Sequence, residues 1–290
     1  MSPPLRDTAL ATDGGTSPAA DDGLVIRDLT VAYPPKVVLR EVSADIQRGQ
    51  VVGIIGPNGG GKSTLLMAIL GIVPIVSGTV TLFGRPAAAM RARMAYVPQR
   101  ELVDWDFPVT VREVVMMGRY PGIGWLRRPG RRDHESVDRV LERVGMQEHR
   151  GVQIGQLSGG QQQRAFVARA LAQDADVLLL DEPLLGIDAG TQEVILRIIE
   201  EHRQTGKIVL IATHDLASAS CHCDCLCCLN GRLVSFGPLQ ETYTAENLAA
   251  TYGGPVIMLG HQGTAVTAHH AGAPAHHTHG HGRTGVGPVR

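Results

Sequence analysis

The chain is expected to fold as an α/β protein built on a parallel sheet. Two observations carry that expectation. Residues 177–180 and 208–212 are continuous apolar runs, as strands covered on both faces require. Between them Val194, Ile195, Ile198 and Ile199 repeat at helical spacing, which completes a strand–helix–strand unit. The second observation is the run 51–55, which passes through a Gly-rich turn into a helix over 63–70.

The other elements follow in order. Residues 1–22 are rich in Pro, Ala, Asp and Gly and lack the apolar core of a signal peptide, so they are expected to form a disordered arm. The Val- and Ile-rich segments 25–33 and 37–46 predict strands, as do 78–83 and 94–97. Residues 110–173 are expected to be mainly helical, with Val137, Val140, Leu141 and Val144 on one face. An organised domain is therefore expected over 23–252 and a mobile Gly-, Ala- and His-rich tail over 253–290.

Composition narrows the classes of function. With 27 basic and 28 acidic residues the chain has no basic field for a nucleic acid. All five cysteines fall between Cys221 and Cys228, unlike a secreted disulfide framework, and a reducing cytosol is expected. No apolar run approaches the ~18 residues needed to cross a bilayer. If the chain serves transport, another chain must form the pore.

Gly56-Pro57-Asn58-Gly59-Gly60-Gly61-Lys62-Ser63-Thr64 fits G-x-x-x-x-G-K-[ST] between a strand and a helix. Glycines there let backbone N–H groups turn around phosphate oxygens, and the helix start adds a favourable dipole. Lys62 would reach the β- and γ-phosphates, and the Ser63 hydroxyl would bind Mg²⁺. The run 177–180 ends in Asp181-Glu182. Asp181 would hold the Mg²⁺ shell, and Glu182 would polarise the water that attacks the γ-phosphate. A strand ending in Asp-Glu is weak evidence alone; the phosphate loop gives it weight.

Leu157-Ser158-Gly159-Gly160-Gln161-Gln162-Gln163-Arg164 narrows the field. It resembles the signature motif of ABC transporter ATPases, and the resemblance covers roughly residues 24–252. It implies a RecA-like P-loop NTPase core with an antiparallel β subdomain and a helical subdomain at about 100–165. It also implies ATP and Mg²⁺ as cofactors and a homodimer in which Ser158, Gly159, Gly160 and Gln161 of one copy close on ATP held by the other. By the same resemblance Tyr33 would stack on adenine, Gln99 would contact Mg²⁺ and water, Asp188 would cross to the partner copy, and His214 would meet the γ-phosphate. Gly60 stands where alanine is common, and Leu184 where the family varies; neither removes a chemical group.

The segment 103–129, with Trp105, Phe107, Met117-Gly118-Arg119-Tyr120 and Trp125, resembles its counterpart in ATPases of manganese, zinc and iron importers. That implies an integral membrane permease, an extracytoplasmic metal-binding protein and a place on the cytoplasmic face of the membrane. As a loop, the same segment would simply bury Trp105 and Phe107. The alternatives are an importer of another cargo, a soluble ABC protein outside transport, or a metal buffer. The metal buffer would leave the ATPase motifs unexplained. For the cysteine run, alternation would put Cys223, Cys225 and Cys227 on one face of a strand and Asp224, Leu226 and Cys228 on the other. Core packing is expected over a metal site, because such a strand does not readily close four ligands around tetrahedral zinc.

The tail holds His261, His269, His270, His276, His277, His279 and His281, seven of the twelve histidines. Nothing in that composition preorganises them, so binding must offset ordering entropy. Any metal binding is expected to be weak and stronger for Zn²⁺ or Ni²⁺ than for Mn²⁺. It should be lost as imidazoles protonate below about 6.5. Deleting residues 260–290 should leave basal ATPase activity nearly intact. Zn²⁺ titration of full-length and truncated protein at about pH 7.5 and about pH 5.5 checks this: equal binding by both forms removes the tail from consideration.

Overall fold

The computed structural model describes residues 22–124 and 127–254. Most of the 1–22 arm and most of the 253–290 tail lie outside the described residues, as does Trp125. The elements are β1 (Gly23–Tyr33), β2 (Lys36–Gln47), β3 (Val51–Ile55), α1 (Lys62–Ile69), β4 (Ile75–Leu82), β5 (Arg85–Pro86), β6 (Met94–Val97), α2 (Val111–Met117) and α3 (Tyr120–Ile123). Then come α4 (Arg131–Arg143), α5 (Gly159–Ala172), β7 (Val177–Asp181), α6 (Ala189–Gln204) and β8 (Ile208–Thr213). The last are α7 (Leu216–His222), β9 (Cys225–Leu229), β10 (Leu233–Pro238), α8 (Leu239–Thr242) and α9 (Ala245–Tyr252).

The expected α/β class is what forms. One sheet runs β10-β9-β3-β8-β7-β6, with β9, β3, β8, β7 and β6 parallel and β10 antiparallel at the edge. A second, antiparallel sheet runs β2-β1-β4-β5. Side chains of a strand alternate between faces, and the parallel sheet uses that alternation to feed two cores. Val51, Ile55, Leu178, Leu180, Val209 and Ile211 pack with α2, α4, α5 and α6. Val52, Ile54, Val177, Leu179, Ile208 and Leu210 pack with α1 and the antiparallel sheet. The uniformly apolar runs follow from this, since neither face meets water.

Between the sheets, Phe83 lies under two guanidiniums, Arg48 at 3.9 Å and Arg93 at 4.8 Å from its ring centre. Arg93 also grips Asp176, at the foot of β7, through paired bonds of 2.6 and 2.7 Å. These contacts tie the turn after β4 to the parallel sheet. The segment expected to be helical over 110–173 forms α2 to α5, and α2 starts on a Thr110–Glu113 capping box.

Two sequence expectations need correction. Phe107 is 56% exposed rather than buried; Trp105 takes the contact with α5, edge-on to Phe166 at 5.0 Å, and Phe107 is turned out. Cys223 does not share a face with Cys225 and Cys227. It caps α7, its N–H bonded to Ala219 O at 3.1 Å, so the strand's alternation begins only at Cys225. Cys225 and Cys227 enter the core against the antiparallel sheet, whereas Cys223 and Cys228 enter the other. All four are buried, and Cys221 alone is exposed. Burial pushes the Cys223 and Cys227 thiols up to about 12. No group of three or more metal-ligating side chains is found among the described residues.

His202 on α6 is buried, with Nδ1 placed 2.8 Å from Ile198 O. Burial holds its pKa below the ordinary value, and Lys207 and Arg143 add to that against Ile198 and Glu201. The unfolded chain therefore takes up this proton first. Its contribution is complete above about 6.5 and is lost as pH falls toward the folded value. Melting curves of the wild type should drop more steeply between about pH 7.5 and about pH 5 than those of His202→Leu. Parallel curves would contradict this account.

Candidate functional site

The site gathers at the C-terminal ends of β3, β7 and β8. The loop after β3 begins at Gly56, where a side chain is excluded: an added Cβ would lie 1.9 Å from Leu229 O. Gly60 N–H closes a turn on Pro57 O at 3.0 Å, and Gly231 N–H holds Gly60 O at 2.9 Å. Gly61 stands at the start of α1 in a left-handed conformation, φ 97°. Lys62, only 7% exposed, donates to Gly56 O at 2.9 Å and Pro57 O at 3.2 Å. Burial lowers its pKa, and the charges of Glu182 and Asp181 oppose that shift.

Asp181 closes β7 and pairs with Ala212 of β8. It is 1% exposed, and its Oδ1 is buried with no hydrogen-bond partner. Oδ2 accepts from the Tyr96 hydroxyl at 3.3 Å. Burial raises its pKa and Glu182 adds to the rise, against Ser63, Tyr96 and Lys62. An orphaned carboxylate oxygen beside the Ser63 hydroxyl is an all-oxygen donor set that fits a hard divalent cation. Mg²⁺ bound there would neutralise phosphate charge, held by Ser63, Asp181 and Gln99.

Glu182 takes a left-handed backbone, φ 49°, which costs a non-glycine residue about 1–3 kcal/mol. Its N–H is fixed on Ala212 O at 2.9 Å, so the sheet enforces the turn that sends the side chain into the cleft. That side chain is 8% exposed, and Oε1 meets His214 Nδ1 at 2.9 Å. A carboxylate only accepts, so His214 Nδ1 carries the proton. His214 follows β8, and Asp215 beside it caps α7 through Ala217 and Ser218 N–H.

Asn58, Gly59, Gly61, Lys62, Ser63, Thr64, Gln99, Glu182 and His214 line one cleft of about 680 Å³. Lys36, Val38, Glu101 and Leu185 line it too; their residue types carry no motif, and only the fold brings them there. A hollow of about 350 Å³ adjoins it at Gln99, Glu101, Glu182 and Leu185 and extends to Trp105 and Gln163. Tyr33 stands exposed at the end of β1 and does not line the cleft.

Ser158, Gly159, Gly160, Gln161 and Asp188 do not line this cleft either. Ser158 caps α5, and Gln161 completes a capping box. Asp188 caps α6, with Thr191 N at 2.9 Å and Thr191 Oγ1 at 2.8 Å, and these bonds lower its pKa. Gly160 touches that cap so closely that a Cβ would lie 2.4 Å from Asp188 Oδ2. The two segments thus meet each other, and none of these five residues lines the cleft.

Residues 39–185 match the family described as ABC transporter. The chain is 47% identical over 232 residues, 80% of its length and 93% of the relative's, to the manganese transport system ATP-binding protein MntB of Bacillus subtilis. It is 47% identical over 231 residues to the zinc transport system ATP-binding protein TroB of Treponema pallidum, 80% of this chain and 87% of the relative. Among solved structures, an inward-facing ABC transporter described as of the metal-chelate type superposes with a TM-score of 0.71 at 26% identity. That match covers 81% of this chain and 90% of the other.

Glu182→Gln keeps the shape of the side chain and removes the carboxylate expected to act as base. ATP should still bind while hydrolysis by purified protein falls about 10²–10⁴-fold. Turnover near the wild-type rate would remove Glu182 from the role of base.

Proposed function

The chain belongs to the ABC transporter family of ATP-binding proteins, and from that premise we propose that it drives import of divalent metal ions, manganese first and zinc or iron next. It is an ATPase of a membrane transporter. No helix among the described residues is long and apolar enough to cross a membrane, so the pore belongs to a permease. The metal assignment is carried by one observation: 47% identity over most of the chain to ATP-binding subunits of manganese and zinc transport systems.

The chemistry follows from the cleft. Backbone N–H groups of Gly59 to Ser63 would cradle the phosphates, and Lys62 would exchange its bonds to Gly56 O and Pro57 O for phosphate oxygens. Glu182, held by His214, would accept a proton from the attacking water, and His214 would keep that carboxylate aimed. Tyr33 and the neighbouring Lys36 and Val38 stand on the hairpin that would take the base and ribose. Ser158, Gly159, Gly160 and Gln161 are disjoint from the cleft-lining set. That supports their acting on ATP held by a second copy, with Asp188 crossing alongside. The hollow beside Gln99 and Trp105 would seat the permease, so that its movement reaches Gln99 and Glu182. We place the dimer on the cytoplasmic face of the membrane, fed by an extracytoplasmic metal-binding protein.

Cells lacking the protein should hold less manganese, or else less zinc or iron, by elemental analysis. The wild type should restore the content and Glu182→Gln should not. Unchanged content of all three metals in the deletion would overturn the metal assignment while leaving the ATPase intact.

A further inference from the structure

His149 lies in a short 3₁₀ turn between α4 and α5, outside every motif. Its backbone is anchored, with N–H on Met146 O at 3.0 Å and O accepting from Val152 N–H at 2.9 Å. Its ring reaches the signature segment: Nε2 lies 3.0 Å from Gln161 Nε2.

The donor and acceptor roles in this contact are fixed by the partners. Gln161 Oε1 lies 2.9 Å from Ser158 N. A backbone N–H only donates, so this atom is the amide oxygen and the amide is not reversed. The Gln161 nitrogen that faces His149 can therefore only donate. Nε2 of His149 must offer a lone pair, which puts the proton on Nδ1. Nδ1 is buried and has no partner. A buried N–H without an acceptor is costly, so hydrogen bonding at Nδ1 does not account for the ring's placement, whereas the contact at Nε2 does.

We propose that His149 is a positioning residue for the signature segment. Through Gln161 it holds the Ser158 N–H and the start of α5 in the form that completes the ATP site of a second copy. The proposal rests on the in-trans reading given above. The chain of contacts is His149 Nε2, Gln161 amide, Ser158 N–H, with a second bond from Gln161 N–H to Ser158 Oγ at 3.4 Å. Without the acceptor at position 149 the Gln161 side chain is free to leave Ser158, and the capping box loosens where the partner's γ-phosphate would dock.

The test uses the full-length chain and compares His149→Leu with His149→Gln, whose amide oxygen reaches about as far as Nε2 and restores an acceptor. His149→Leu should lower kcat at saturating ATP about three- to ten-fold, the scale of one neutral hydrogen bond. ATP affinity of the single subunit should stay unchanged, because its own phosphate loop is untouched. His149→Gln should recover most of the rate. In the Glu182→Gln background, His149→Leu should also raise the ATP concentration needed to form dimers. His149→Phe repeats the test where His149→Leu does not fold. Wild-type kcat in the acceptor-less variants, or His149→Gln as slow as His149→Leu, overturns the proposal. Ser158→Arg separates the two levels: inactive Ser158→Arg beside a fully active His149→Leu sinks the role of His149 alone, whereas fully active Ser158→Arg sinks the in-trans reading and this proposal with it.

Discussion

The parallel register of β3, β8 and β7 is the constraint on which the site depends. Ile55 stands opposite Thr213, and Asp181 opposite Ala212. The phosphate loop, the acid pair and His214 each begin within a residue or two of those positions. A slip of one residue would displace an element by about 3.3 Å and send every side chain to the opposite face. The bonds that define the site, such as 2.9 Å between Glu182 and His214, would not survive it. The register is in turn held by the two cores, since a slip would also exchange the residues that each core receives.

Charge is concentrated where the strands end. Lys62, Asp181 and Glu182 share a nearly dry region, and burial acts on Lys62 and Asp181 in opposite directions, disfavouring the ion in each case. Each group's charge offsets part of the other's desolvation. Oδ1 of Asp181 is left without a hydrogen-bond partner. The start of the signature segment is held differently, by the Ser158–Gln161 capping box, and Ser158 to Gln161 do not line the cleft.

Much of this was legible in the sequence because the site is made of backbone-driven motifs. A glycine-rich turn between a strand and a helix, and a strand ending in Asp-Glu, specify their own local geometry. What escaped depends on three-dimensional neighbours. Lys36 and Val38 reach the cleft only because the hairpin folds over it. His149 meets Gln161 only because a turn between two helices lies against α5. Phe107 and Cys223 depart from expectation for a related reason: periodicity tells which face a residue occupies inside an element, but not where the element starts or which ring of a loop wins a contact. Cys223 belongs to the end of a helix, so counting back from the strand carried the wrong phase.

The distribution of the cysteines has a practical corollary. Four thiols are sealed in the two cores with their ionisation suppressed, and a thiol must ionise to attack an electrophile. Cys221 alone is exposed, on the helix that begins just after His214. At neutral pH a maleimide dye or spin label added to the unaltered protein would therefore settle on one address. From there it would report rearrangement of the loop that carries the histidine, without an engineered cysteine-free background.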